Sequence, residues 1–256
     1  MSAVQISSIV FACVFGGALL GMFLRTILPE HHLSQDSKDV VKLGTGLIAT
    51  MSALVIGLLI ASAKGSFDTQ GNEVKQSAAN VALLDRVLAQ YGPETQEARQ
   101  VLRRATETWL NLIWPEDGSQ RVDLGAVKKV THSPIEILEE KIRNLTAQNE
   151  AQRELQARAL HLCTDLTQTR MLLFGQFGSR SIPLPFLIVL IVWLAVIFLS
   201  FGLLAPRNAT VVVVLLVCAL SASGAIFLIL EMDRPFEGLM KISGAPLRDT
   251  LARLGQ

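Results

Sequence analysis

Four stretches of the chain carry no charged residue for twenty residues or more, and this constrains the fold more than any other feature. They run from about Ala3 to Leu24, Leu43 to Ala63, Ile182 to Ala205 and Ala209 to Leu230. Charges close them: Arg25, Lys42 and Lys64, Arg180 and Arg207, and Glu231. A helix needs roughly 20 apolar residues to cross the hydrocarbon of a bilayer. A soluble core helix keeps a polar face, so it rarely stays uncharged through every turn. The expected architecture is therefore all-α, a polytopic membrane protein with four transmembrane helices. The first stretch is read as a retained helix, because no Lys or Arg precedes it as in a signal peptide.

Charge is concentrated elsewhere. Of 23 Lys+Arg and 22 Asp+Glu, 15 of each sign lie between Lys64 and Arg180. A nucleic-acid binder would show a basic excess on some segment, and none exists. Three Cys without a pairing pattern exclude a disulfide scaffold. The chain thus divides into residues 1–63 with two membrane helices, a helical domain at 64–181, two more membrane helices at 182–230, and a tail at 231–256.

With four crossings, both termini and the 64–181 segment share one side. Near the helix ends that side carries Lys64, Lys75, Arg170, Arg180, Arg234, Lys241 and Arg248. The opposite side carries Arg25, Lys38, Lys42 and Arg207. The excess places the larger segment and the termini in the cytoplasm.

Within 64–181, Val74, Ala78, Val81, Leu84 and Leu88 recur at helical steps. Gly92-Pro93 breaks that helix. Thr95–Trp114 forms a second, with Val101, Leu102, Ala105, Trp109, Leu112 and Ile113 on its apolar side. A loop is expected from Pro115 to about Thr131. Ser133-Pro134-Ile135-Glu136 reads as a capped helix start. No Pro or Gly follows until Gly175, so one helix of about 40 residues is expected, roughly 60 Å long. Such a helix needs partners along its length. The expectation is a helical bundle between membrane helices two and three.

Catalytic signals are few. His31 and His32 are adjacent in a short loop. His161 and Cys163 are two apart on a helix, which is poor metal-ligand spacing. There is no phosphate loop, nucleophile elbow or His-Glu metal motif. Neither an enzyme nor a metal or cofactor is expected.

The membrane helices carry more. In the second, Gly46, Thr50, Ala53, Gly57 and Ala61 form a small-residue stripe suited to close packing. Beside it lie Thr45, Ser52, Ile56 and Leu59, polar toward one end and aliphatic toward the other. In an oligomer that second stripe could line a pore. Alternatively, its hydroxyls bond back to their own helix. Helix one has Cys13, Gly17 and Gly21 at packing spacing, and helix four has Cys218, Ala222 and Ile226. No acid or base lies within any span, which favours passive conduction or a structural role over ion-coupled transport.

A family resemblance rests on several of these residues. Ser52-Ala-Leu-Val-Ile-Gly57-Leu-Leu-Ile, followed by Lys64-Gly-Ser-Phe67-Asp68, resembles the second helix of bestrophins. Asp233-Arg-Pro235-Phe236-Glu-Gly238 resembles their Asn-Pro-Phe-Gly element. The order of two helices, a helical insert and two more helices is also similar. Asp36-Ser-Lys-Asp-Val-Val-Lys-Leu-Gly-Thr-Gly, with Ala245-Pro246-Leu247, is similar to the bacterial bestrophin-like group. The resemblance implies a pentameric anion channel of the bestrophin type, in a bacterial inner membrane, whose second helix lines the pore, here through Ser52, Ile56, Gly57 and Leu59, with Thr45 on the same stripe. It places Glu231, Asp233, Pro235 and Phe236 at the inner mouth. The expected partners are the lipid bilayer, further copies of the chain and inorganic ions. The acidic run of the bestrophin calcium clasp has no counterpart, since Leu239-Met-Lys-Ile-Ser follows. Two other readings of the residues are a stator-like energy-coupling assembly and a non-conducting scaffold or sensor.

Overall fold

The computed structural model describes residues 2–29, 34–115, 134–176, 184–236 and 238–255. The expected loop beyond Pro115, the cap at Ser133, and His31, His32 and His132 lie outside the described residues. Among those described, all regular structure is helical. In chain order the helices are α1 (Ala3–Ile27), α2 (Gln35–Tyr91), α3 (Gln96–Ile113), α4 (Pro134–Arg143), α5 (Glu150–Gln176), α6 (Leu184–Leu204), α7 (Ala209–Met232) and α8 (Ala245–Arg253). Four of them, α1, α2, α6 and α7, are long and apolar enough to cross a membrane.

The chain forms two compact units. The first comprises residues 1–67 and 180–239, the second 68–179 and 240–256. In the first unit, Val10, Val14, Ala18 and Met22 of α1 form one buried row at four-residue steps. They join Leu190, Leu194 and Ile197 of α6, and Leu215, Ala219, Ile226 and Ile229 of α7. From α2, Leu59 and Ala63 enter the same core.

Glycines set the distance between α1 and α6. A methyl group added at Gly21 would strike the Leu199 carbonyl, and one at Gly202 would strike the Ala18 carbonyl. At Gly17 it would lie 3.0 Å from the Ala195 oxygen. The backbones therefore touch, as small residues allow in lipid. This is the seam expected from Gly17 and Gly21. Arg207 donates to the Met22 carbonyl at 2.6 Å, and Arg25 donates to the Ala205 carbonyl. The Ala205 carbonyl lies just past the end of α6, where helix carbonyls lack intrahelical donors.

In the second unit, Val74, Ala78, Val81, Leu84 and Leu88 are all buried, as their spacing requires. The helix ends at Gly92, whose φ of 140° suits a residue without Cβ. Thr95 caps the break, donating to the Leu88 carbonyl at 2.6 Å. Ala98, Leu102, Ala105 and Ile113 of α3 pack inward.

The expected 40-residue helix is two helices. It breaks between Arg143 and Glu150 without Pro or Gly. Side-chain capping is the cause. The Asn149 carboxamide oxygen accepts from the Gln152 N–H at 2.8 Å and starts α5. Gln156 donates to the carbonyls of Ile142 at 2.8 Å and Leu145 at 3.0 Å, which end α4. The break turns α4 back so that Leu138 and Ile142 share a core with Ala159, Leu162 and Leu166 of α5.

The last residues fold onto this unit. Trp114 donates its indole N–H to the Ile242 carbonyl at 2.8 Å, and Leu247 is fully buried. Asp85 accepts a bidentate bond from Arg99 at 2.7 and 2.9 Å and also meets the Gly255 N–H at 3.3 Å. One carboxylate thus ties α2, α3 and the segment after α8.

Candidate pore-lining surface

The membrane part of α2 has two sides. Thr45, Ser52 and Leu59 are spaced by seven residues, about two helical turns, and so share a face. All three are buried, at 7%, 2% and 7% exposure. The Ser52 hydroxyl donates to the Ile48 carbonyl at 2.8 Å, so its polarity is met inside its own helix. Ile56 is half-buried and packs against the core of the first unit. These four residues face the interior of the single chain.

Gly57 lies on the other side. It is exposed, and nothing stands within 4 Å of where its Cβ would be. Gly46, Thr50, Ala53 and Ala61 are exposed with it. Thr50 donates to the Leu47 carbonyl at 2.8 Å. Beside this small-residue strip run Leu43, Leu47, Leu54 and Leu58, between 64% and 77% exposed. Of the four candidate spans, α2 has the smallest buried share in its most apolar window, 17% against 28–39% for the others. So the least covered helix is also the one with the longest run of exposed small residues. At the end of this stretch, Lys64 lies over the Phe67 ring, 6.0 Å from its centre.

The segment after α7 is a built turn. Asp233 ends the helix, its N–H donating to the Ile229 carbonyl at 3.1 Å. Pro235 and Phe236 are buried. Glu231 is only 6% exposed, and its carboxylate accepts from the Leu239 N–H at 2.6 Å. Gly238 has φ of 85°, and a Cβ there would sit 2.9 Å from the Glu231 carboxyl carbon. Glycine is needed twice over, for its backbone and for the space. The four residues singled out from sequence, Glu231, Asp233, Pro235 and Phe236, thus belong to one turn. Gly238, whose absent side chain admits the Glu231 carboxylate, was visible in the sequence only as the last letter of the motif. The paired arginines at the opposite helix ends, Arg25 and Arg207, were visible only as boundary charges.

Among the described residues, no group of His, Cys, Asp and Glu is arranged to hold a metal ion. Between Lys42 and Lys64 the exposed side of α2 offers small side chains, the Thr50 hydroxyl and leucines, with no charge among them.

Comparison with protein-family models matches the Bestrophin-like domain over residues 12–247. No curated protein and no solved structure matches the chain.

Proposed function

The chain belongs to the bestrophin-like family, and from that premise we propose that it is a passive ion channel built from several copies of the chain. The pore is lined by α2, and the permeant ions are anions. The second unit and both termini lie in the cytoplasm of a bacterial cell.

The exposed strip on α2 is the observation that carries this reading. A side chain lining a pore between subunits must be free in the single chain. Gly46, Thr50, Ala53, Gly57 and Ala61 meet that condition. Thr45, Ser52 and Leu59 sit behind them, where they anchor the helix to its own subunit, and Ile56 lies at the border. Small residues leave room along the axis, and Thr50 offers a hydroxyl. The neighbouring leucines provide an apolar lining that passes an ion only when wetted. The absence of acids and bases from all four spans supports conduction down a gradient rather than coupled transport. Arg25 and Arg207, at the short-loop ends, favour anions electrostatically.

The test is reconstitution of purified protein into planar bilayers with a potassium chloride gradient. A reversal potential near the chloride equilibrium value is expected. Silent bilayers containing intact oligomer, or a reversal potential near that of potassium, contradict the reading.

A further inference from the structure

The second unit holds a cavity with no part in conduction. It has a volume of about 520 Å³, is lined by α2, α8 and Arg99 of α3, and opens to solvent. Clefts that bind small molecules run from about 300 to 1,000 Å³. Ala78, Ala82 and Ala89 of α2 line it at four- and seven-residue steps, so they share one face. With Pro246 of α8 they make a low apolar floor.

Charged groups stand around this floor. Arg99 is committed, because it holds Asp85 through two bonds at 2.7 and 2.9 Å. Arg86 of α2 and Arg253 of α8 also line the cavity, and neither makes a hydrogen bond or ion pair among the described residues. The same is true of Asp249, although it precedes Arg253 by four residues, a spacing that suits a helical ion pair. Thr250 donates its hydroxyl proton to the Pro246 carbonyl at 2.9 Å. Two guanidinium groups and one carboxylate, drawn from two helices, are therefore left open to a ligand.

We propose that this cavity binds a nucleoside monophosphate, with its phosphate between Arg86 and Arg253, its ribose hydroxyls on Asp249 and its base on the alanine floor. Two guanidinium forks suit the three terminal oxygens of one phosphate. A carboxylate accepts from ribose hydroxyls, as acids do in dinucleotide sites. Small side chains admit a flat ring. Inorganic phosphate would leave the floor uncovered and set its charge beside Asp249. A dicarboxylate would answer the arginines but offer Asp249 only repulsion. A nucleoside without phosphate would use neither arginine. The site is independent of the pore reading, since its residues all belong to the second unit.

The experiment is calorimetric titration of the full chain in phosphatidylcholine nanodiscs with AMP and with UMP, one purine and one pyrimidine. Saturable binding of at least one is expected, weakening as salt is raised. Adenosine and succinate should each bind at least tenfold more weakly. Arg86→Gln and Arg253→Gln should each weaken nucleotide binding about tenfold, the loss of a charged hydrogen bond. Arg86→Lys should restore part of that loss. Asp249→Asn should weaken AMP but not 2′,3′-dideoxyadenosine monophosphate, which lacks the hydroxyls. Ala82→Leu, which raises a side chain from the floor, should block binding while both arginines are kept. Arg86, Arg253 and Asp249 are exposed, so these substitutions leave the fold intact, and thermal unfolding of each variant verifies it. No saturable binding of either nucleotide, equal binding of adenosine or succinate, or unchanged affinity in both arginine-to-glutamine variants would overturn the proposal.

Discussion

The carboxylate of Glu231 accepts a hydrogen bond from the backbone N–H of Leu239 at 2.6 Å, across a turn that Gly238 alone permits. The bond closes the segment that follows the last membrane helix. It also brings a nearly buried acid against a backbone donor, which is the pairing such a group requires.

Gly238→Ala should therefore be costly. The φ of 85° disfavours a side chain, and the added methyl would press on the Glu231 carboxylate. A loss of about 1–2 kcal/mol is expected from the backbone alone. Glu231→Gln keeps an acceptor and should cost less than Glu231→Ala. Thermal unfolding of the three variants checks this order.

The contact between α1 and α6 separates two glycines in the same helix. Gly21→Ala drives a methyl into the Leu199 carbonyl, whereas Gly16 has nothing within 4 Å of its Cβ position. Overpacking of this kind costs about 1–3 kcal/mol. Gly21→Ala should reduce the yield of monodisperse protein after detergent extraction. Gly16→Ala should leave it unchanged.

Asp85 joins three segments through Arg99 and Gly255. Its side chain is 10% exposed and that of Arg99 is 23%. Hydrogen bonding to Asp85 raises the Arg99 pKa, so the guanidinium stays charged at any physiological pH. Asp85→Asn leaves the guanidinium without its counter-charge. The expected loss is about 1–3 kcal/mol, less than for a fully buried pair because Arg99 reaches solvent. A double-mutant cycle with Arg99→Gln should show coupling between the two sites.

Burial pushes the Cys163 thiol up to about 12. It is a small core residue rather than a reactive one. The raised pKa means that its contribution to stability is intact below pH 9 and is lost as pH rises through about 12. N-ethylmaleimide at pH 8 should leave Cys163 unmodified in the folded protein and label it in denaturant. Peptide mass mapping reads the difference.

The sequence showed the membrane helices plainly because hydrocarbon excludes charge, and exclusion over twenty residues leaves a clear mark. The α1 seam was legible for a similar reason, since Gly17 and Gly21 fall one turn apart. The orientation of α2 was not legible. Thr45 and Ser52 on its inner side and Thr50 on its outer side are all hydroxyls, and Ser52 and Thr50 both bond to carbonyls of their own helix. Polarity therefore does not mark which side meets a pore. The break between α4 and α5 was also hidden, because Asn149 and Gln156 do by side-chain capping what Gly or Pro usually does. Asp85 read as one charge among many, since its partner Arg99 lies across the Gly92 break and Gly255 at the far end of the chain.

The central claim is that ions pass along the exposed side of α2. The most direct test places single cysteines at Gly57 and at Ser52, in a chain whose Cys13, Cys163 and Cys218 are replaced by alanine. A charged, water-soluble methanethiosulfonate is then applied to reconstituted channels. Current that is blocked at position 57 and untouched at position 52 is the predicted result. Block at 52 with none at 57 would contradict it.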